Sequence, residues 1–374
     1  MRICHVITTL ERGGAENQLL ILVTEQIRQG HSVTVFPLKN NLELRDTLLD
    51  VGAVVDSRFL DKNFILQLRM TLLGKSLDFD IVHSHLPRAE LLTMFTKKSK
   101  RIISRHFGGQ FYPGRHKYLS RILSRIATQN CKYVIAISTS VQQQLVDNKE
   151  VSDVRKIKVI EYGFRSSDFI QGIEKKAVQN AELSSETVIG TIARLSPEKD
   201  LGTLIKAFAI CTDNRAFSGK LEIFGEGPER QKLTALINEL NLADKAVLAG
   251  RTMSPASKMA NFDIFVLTSV FEGFGMVLLE AMACERPIIC SNISTAREVL
   301  GDSGAAIFFE PGNEVDLSQK MLNWRKMLNP QFHERQMERL SMYSAVTMAE
   351  KVQEIYLSLP LARPIKAARM GSIN

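Results

Sequence analysis

The chain has 374 residues, 45% of them apolar and 24% charged, with a formal net charge of +8. That length suits two domains better than one core, and the composition is that of an ordinary soluble protein. No apolar run reaches the roughly 18 residues of a membrane-spanning helix, and the five cysteines, odd in number and without C-x-x-C spacing, exclude a disulfide or zinc framework.

The opening "MRICHVITTLERGG" has no long apolar core, because Glu11 and Arg12 interrupt it, so it predicts no signal peptide and a cytoplasmic protein. The positive charge predicts an anionic partner: nucleotide, nucleic acid or membrane surface. Along the chain, short β-branched runs alternate with helical patterns, which predicts parallel sheets wrapped by helices. In the first half "RICHVIT", "HSVTVFPL", "AVVDS", "DIVHSH", "RIISRH" and "KYVIAIS" predict strands, with amphipathic helices between them, among others at 15–29 and 89–98. The alternation stops at "KIKVIEYGF", and residues 166–186 read as a linker. It restarts with "TVIGTIARL", "KLEIFG", "KAVLAG", "FDIFVLT", "RPIICSN" and "AAIFFEPG". The expectation is α/β with two Rossmann-like doubly wound domains, 1–165 and 187–342, facing a cleft. A helix at 343–360 and a loosely ordered tail at 361–374 follow.

Ligands of such sheets bind beyond the carboxyl ends of the strands. After the first strand, Gly13 and Gly14 precede a helix and offer backbone amides. The spacing is not G-x-G-x-x-G and no acid clearly ends the second strand, so a dinucleotide site is not expected. His83 and His85 share one strand face, and His106 ends the next strand ahead of Gly108 and Gly109. Histidines are more often structural than functional, and His106 is the best exception. From 97 to 132 there are ten Lys/Arg and no acid. There Lys117, Arg121 and Arg125 recur every four residues, beside an apolar face of Tyr118, Leu119, Ile122, Leu123 and Ile126. Either that face packs on the sheet and the cations are solvated, or the helix meets anionic headgroups or a lipid-diphosphate acceptor. No nucleic-acid motif or aromatic interleaving is present, so nucleic acid is not an expected partner.

In the second half, "ARLSPEKD" puts Arg194 and Lys199 at a strand end, where two cations can clamp a diphosphate. Taken alone it is a surface turn. "FGEGPER" adds a glycine turn at Gly225. In "FEGFGMVLLE", Glu272 lies in a loop and Glu280 about one turn into a helix, on either side of Gly273 and Gly275. The helix start is an anion site and the carboxylates accept hydroxyl hydrogens, which suits a polyol attached to a phosphate. A glycosidase pair is disfavoured, since both carboxylates belong to one strand–loop–helix unit.

Taken together, "GGAE", "IVHSH", "SRHFGG", "VIAIST", "KIKVIEYGF", "GTIARLSPEKD", "IFGEGPER", "VLAGR", "FEGFGMVLLEAMA", "RPIICSN" and "SGAAIFFEPGN" resemble glycosyltransferase family 4, retaining enzymes of the GT-B fold, over residues 2–358. The resemblance implies a nucleotide-sugar donor, UDP-sugar favoured over GDP-sugar, held mainly by the second domain. Glu272 would bind sugar hydroxyls, Glu280 the ribose, and Arg194 and Lys199 the diphosphate. Gly14, Gly225, Phe274, Gly275, Met276 and Val277 would complete the cradle, Arg251 would border the base, and His106 would contact the sugar. Gly13, His85 and Arg88 would lie on the acceptor side. The acceptor would be a glycan or lipid-linked glycan of cell-surface polysaccharide or lipopolysaccharide. Lys117, Arg121 and Arg125 would face the membrane, and the last helix would cross back onto the first domain. No cofactor or metal is expected, as no aspartate cluster suits magnesium. Rival readings are a nucleotide-sugar hydrolase or epimerase of the same fold, and a non-catalytic nucleotide-sugar-binding subunit. Two departures from the family pattern stand out: "YGFR" (162–165) where Asn-Gly-Val-Asp is common, and Glu285 in place of a glycine.

Overall fold

The computed structural model describes all residues except 73–78, 98–99, 108–110, 112–116, 172, 174–185, 303, 328–330 and 361–374, and omits the side chains of 72, 117 and 327. The chain divides into two compact units: residues 1–163 with the segment from Ala345 onward, and residues 164–344.

The first unit runs β1 (Arg2–Ile7), α1 (Gly14–Arg28), β2 (Ser32–Pro37), α2 (Arg45–Asp50), β3 (Val54–Val55), α3 (Phe64–Leu72), β4 (Ile81–His85) and α4 (Pro87–Leu92). It continues with β5 (Arg101–Arg105), α5 (Lys117–Gln129), β6 (Tyr133–Ala136), α6 (Thr139–Asp147) and β7 (Ile157–Val159). Its seven-stranded sheet is parallel, in the order β3-β2-β1-β4-β5-β6-β7. β4 and β5 are buried along their whole length, as strands covered on both faces must be.

The second unit runs α7 (Ser166–Phe169), β8 (Thr187–Ile192), α8 (Leu201–Thr212), β9 (Gly219–Phe224), α9 (Arg230–Glu239), β10 (Ala246–Gly250) and α10 (Pro255–Ala260). Then come β11 (Ile264–Leu267), α11 (Met276–Ala283), β12 (Ile288–Ser291), α12 (Ser294–Leu300), β13 (Ile307–Phe309), α13 (Glu314–Met327) and α14 (Phe332–Ser341). Its parallel sheet has six strands in the order β10-β9-β8-β11-β12-β13, with a core of aliphatic side chains such as Ile189, Leu204, Leu221 and Val266.

The last helix, α15 (Ala345–Leu357), belongs to the first unit, where Met348, Val352 and Tyr356 join the core that α1 covers. Its start fixes Gly163. A Cβ there would sit 2.6 Å from the Ala345 backbone, and the buried Gln18 amide brackets the same residue with bonds of 2.7 and 3.1 Å.

Two expectations change. The segment read as a linker begins with α7, which packs on α11 within the second unit; residues 174–185 of that linker and the tail 361–374 lie outside the described residues, as do Gly108 and Gly109. In α5 the apolar face is split between the two readings: Tyr118 is 72% and Leu119 41% exposed, Leu123 packs on the cluster of Leu91, Phe111 and Ala127, and Ser120, Ser124 and Thr128 are buried. The cause is a polar core. Arg105 bridges Glu90 at 2.8 Å and Glu150 at 2.7 Å, and Ser124 donates to Glu150 at 2.6 Å, so the hydroxyl side of α5 serves this buried ion cluster. The five cysteines are buried and free.

Candidate active site

In the second sheet β8 lies between β9 and β11, so the chain order reverses between β8 and β11 and opens a crevice at their carboxyl ends. The loop after β8 carries Arg194 and passes through a 3-10 turn, Pro197–Lys199, to Asp200 in the left-handed region at φ 43°. Two bonds clip it to the loop after β11: Thr268 Oγ1 donates to the Lys199 carbonyl at 2.8 Å, and the Val270 amide to the Glu198 carbonyl at 2.9 Å. Those clips bring residues 73 apart in sequence together, and Lys199 Nζ donates to Glu272 Oε1 at 2.6 Å. Ser269 Oγ donates to the same oxygen at 2.7 Å, and Thr295 Oγ1 to the Glu272 carbonyl at 3.0 Å. Glu272 is only 7% exposed, and its ion pair and hydroxyl partner offset the cost of burying the charge. Among the described residues its Oε2 takes no donor.

Arg194 is exposed and shares the field of this loop. Burial raises the Glu198 carboxyl, but the Ser196 hydroxyl, a backbone amide, Lys199 and Arg194 together outweigh it and leave the group below its ordinary value. α11 starts at Met276 behind Gly275, whose φ of 84° strains any residue with a side chain. Phe274 and Gly275 are buried, and Met276 and Val277 half-buried, in this turn. Glu280, one turn into α11, keeps part of its surface open, yet desolvation lifts its carboxyl to about 7. Gly225 has a packing reason for its identity. At φ 141°, a Cβ there would meet the Ala193 carbonyl oxygen at 1.8 Å, so only glycine lets the β9 loop lie against the start of the Arg194 loop. Arg251 is exposed just past β10, at the same end of the sheet.

The first unit holds a different device. His106 Nδ1 lies 2.6 Å from the Tyr162 hydroxyl and its Nε2 2.9 Å from His85 Nδ1; His85 Nε2 is 2.9 Å from His5 Nδ1. His5 Nε2 is 2.8 Å from Gln26 Oε1, and Gln26 Nε2 donates to the Tyr356 hydroxyl at 3.2 Å. That hydroxyl is 2.7 Å from His83 Nδ1, and His83 Nε2 is 2.8 Å from Ser104 Oγ. Burial drives His5 down to about 4 and His106 to about 3, and takes His83 and His85 well below the ordinary histidine value, with neighbouring rings adding to the last two. Each ring is therefore neutral, with one donor and one acceptor nitrogen. The Gln26 amide then sets the sense of the whole chain: Tyr162 donates to His106, His106 to His85, His85 to His5 and His5 to Gln26. On the far side Gln26 donates to Tyr356, Tyr356 to His83 and His83 to Ser104. Turning the amide over reverses every bond.

This relay relocates two expectations. His85 is buried with both nitrogens engaged, so it has no ring nitrogen to offer an acceptor. His106 is half-buried, its nitrogens are also both engaged, and as a ring held near 3 it is a poor general base at neutral pH. His5, His83 and His85 could in principle hold a metal, their ligand atoms lying within 4.8 Å of one another, but each of those atoms serves the relay. Gly14 opens α1 with free space around it, while Glu16, accepting from Thr9 at 2.9 Å, already occupies the first turn beside Gly13. Arg88 starts α4, and Arg121 and Arg125 lie on α5; the Lys117 side chain lies outside the described residues. The sequence reading missed His5, Gln26, Tyr162 and Tyr356. Their signal is the parallel register that sets His5 beside His83, visible only once β1 is known to neighbour β4.

Two family models account for both units. "Glycosyltransferase Family 4" matches residues 12–166 and "Glycosyl transferases group 1" matches residues 172–338. The chain belongs to glycosyltransferase family 4. The Anabaena protein Alr3699/HepE, whose crystal structure is a complex with UDP and glucose, superposes with a TM-score of 0.78 at 21% identity, covering 96% of this chain and 100% of that one. It shares the fold, that of GT-B glycosyltransferases with two Rossmann-like parallel sheets. A Campylobacter jejuni N-acetylgalactosamine-N,N'-diacetylbacillosaminyl-diphospho-undecaprenol 4-alpha-N-acetylgalactosaminyltransferase is 37% identical over 152 residues, 40% of each chain. The match thus spans less than half of that relative. The Staphylococcus aureus capsular polysaccharide biosynthesis glycosyltransferase CapM is 27% identical over 277 residues, 70% of each chain.

Proposed function

We propose that this family 4 protein is a retaining glycosyltransferase of the hexosyl type that moves a sugar from a nucleotide-sugar to a lipid-linked or growing surface glycan. The observation that carries the reading is the Lys199–Glu272 pair across the β8/β11 crevice, ahead of the first turn of α11. Donor binding exchanges partners. Lys199 turns with Arg194 to the diphosphate, which the amide end of α11 also favours, and Glu272 accepts hydroxyls of the sugar. Glu280 accepts the ribose hydroxyls. As the glycosidic bond breaks, charge grows on the diphosphate where the two cations stand, and the acceptor hydroxyl attacks from the same face and passes its proton to the departing diphosphate oxygen. No protein nucleophile is required, and no metal enters the scheme. UDP is the favoured nucleotide on the likeness to the Anabaena protein, and the names of the C. jejuni and S. aureus relatives support a glycan or lipid-linked acceptor.

Among the described residues no helix is long and apolar enough to cross a membrane. We place the protein in the cytoplasm, peripheral on the membrane, with α5 as the contact. Its exposed Tyr118, Leu119 and Ile126 lie beside Arg121 and Arg125, apolar and cationic together. Equal sedimentation with neutral and anionic vesicles at low salt would remove that contact.

A thermal-shift panel of UDP, GDP, ADP and their sugars identifies the donor, since a ligand of the folded state raises its apparent stability. With that donor and a lipid-linked acceptor, the anomeric configuration of the product is read by NMR. Inversion, or transfer by Glu272→Ala at the parent's rate, refutes the mechanism.

A further inference from the structure

A recess of about 500 Å³ in the first unit shares no lining residue with the crevice or the histidine chain. Its walls include Thr9 after β1, Lys39 after β2 and Arg88 after β4, so it lies at the carboxyl ends of three neighbouring strands, where parallel sheets bind ligands. Lys62 and Asp61 also line it. Arg88 is held rigidly but by neutral groups. Its Nε and Nη2 donate to Gln67 Oε1 at 3.1 and 2.9 Å, and Nη2 to the Lys62 carbonyl at 3.3 Å. Gln67 is fully buried, and its amide nitrogen donates to the carbonyls of Leu38 and Phe59. A buried amide thus fixes the guanidinium relative to the two loops that carry Lys39 and Lys62. Among the described residues none of these three cations is in an ion pair. Asp61, the one acid of the wall, accepts the Asn40 amide at 2.9 Å.

Fixing a half-buried guanidinium with neutral acceptors costs desolvation that no protein charge returns. Three cations to one acid, in a fixed recess at strand ends, have the arrangement that grips a dianion. We infer that this recess binds a phosphate ester carried by the acceptor. The inference rests on the reading that the first unit receives the acceptor, and gives that acceptor a chemical class: a phosphorylated or diphospho-linked glycan.

The test titrates inorganic phosphate into the full chain by calorimetry, for the parent and for Arg88→Gln, Lys39→Glu and Lys199→Gln. Lys39 makes no side-chain bond, so its reversal leaves the fold intact, and the thermal midpoint checks this for each variant. Weakening by about tenfold or more in Arg88→Gln and Lys39→Glu, and not in Lys199→Gln, establishes the site. No binding to the parent, or binding lost only in Lys199→Gln, overturns it. The titration needs no turnover, so it stands if the glycosyl-transfer reading fails. If transfer is found, Lys39→Glu raises the acceptor KM and leaves the donor KM unchanged. Vesicles of phosphatidylcholine with phosphatidic acid separate the sources: Lys39-dependent binding to them assigns a lipid phosphate, and binding of free phosphate alone a soluble ester.

Discussion

Replacing His85 with leucine tests whether the imidazole chain is one connected object. The ring is buried and joins His5 to His106 through two bonds of 2.9 Å. Leucine fills similar space but orphans His5 Nδ1, which is fully buried, and His106 Nε2, which is half-buried and can turn toward water. A buried polar group without a partner costs about 1–3 kcal/mol, and a partly solvated one less, so the loss should be about 2–4 kcal/mol. At about 2–4 °C per kcal/mol, the unfolding midpoint of the first unit should fall by roughly 5–15 °C. Calorimetry or far-UV circular dichroism must be used, because the single tryptophan, Trp324, belongs to the second unit. The decisive comparison is a cycle with His5→Leu, which alone orphans His85 Nε2 and Gln26 Oε1. Each single variant strands two groups, and the double variant also strands only two, so it should cost about as much as either single one. Costs that add to within about 0.5 kcal/mol would refute the relay, as independent sites add that closely. Imidazole nitrogen shifts give a second reading: His5, His85 and His106 should share one tautomer, all protonated on Nε2 or, with the amide reversed, all on Nδ1.

Three other consequences follow from named groups. Because His5 titrates near 4 in the fold and near 6.5 in an unfolded chain, the unfolded state binds its proton first as pH drops; stability should fall between about pH 6.5 and 4, by about 1.4 kcal/mol per unit for each such ring, and a denaturation midpoint unchanged from pH 7 to 5 would contradict the neutral burial. Glu280, raised to about 7, accepts ribose hydroxyls best when ionised, so nucleotide affinity should rise as pH climbs through about 7 and become flat in Glu280→Gln. Gly225→Ala, whose methyl meets the Ala193 carbonyl at 1.8 Å, should lower the stability of the second unit by more than about 2 kcal/mol and weaken nucleotide binding through the adjoining Arg194 loop; an unchanged midpoint and affinity would show that the loop yields freely.

Most strands of both sheets were legible because each is a short β-branched run closed by a glycine or polar turn, and in central strands such as β4, β5, β11 and β12 burial on both faces leaves few other assignments for such a run. Their order was legible only in class. That limit hid the relay, since nothing in "CHV" or "VHSH" says that His5 and His83 are register partners. The division of the α5 face was hidden for another reason. Periodicity assumes an apolar interior, and here a buried arginine with two glutamates draws serine and threonine inward beside Leu123 and Ala127, leaving Tyr118 and Leu119 outside. Arg194, Lys199, Glu272 and Glu280 were readable as chemistry at strand ends, but the 2.6 Å contact between Lys199 and Glu272 depends on two clips between loops, one from the Thr268 hydroxyl and one between backbone groups, that no sequence spacing encodes.

The two sheets reverse at matching places, β1/β4 and β8/β11, and the chain fills those places with opposite electrostatics. At the second, Lys199 and Glu272 stand paired beside the exposed Arg194, and in the proposed reading they re-pair with a diphosphate and a hydroxylated sugar. At the first, imidazoles that would be half charged near their ordinary value are all held neutral, each satisfied by the next. A positive charge there would create a second anion site; a neutral chain of fixed bonds supplies rigidity without one. Three cations of the first unit, Lys39, Lys62 and Arg88, stand instead in the recess, whose walls include none of the histidines. If His106 proved charged at neutral pH, this contrast between a charged crevice in one unit and an uncharged one in the other would be lost, and imidazole nitrogen spectra decide it directly.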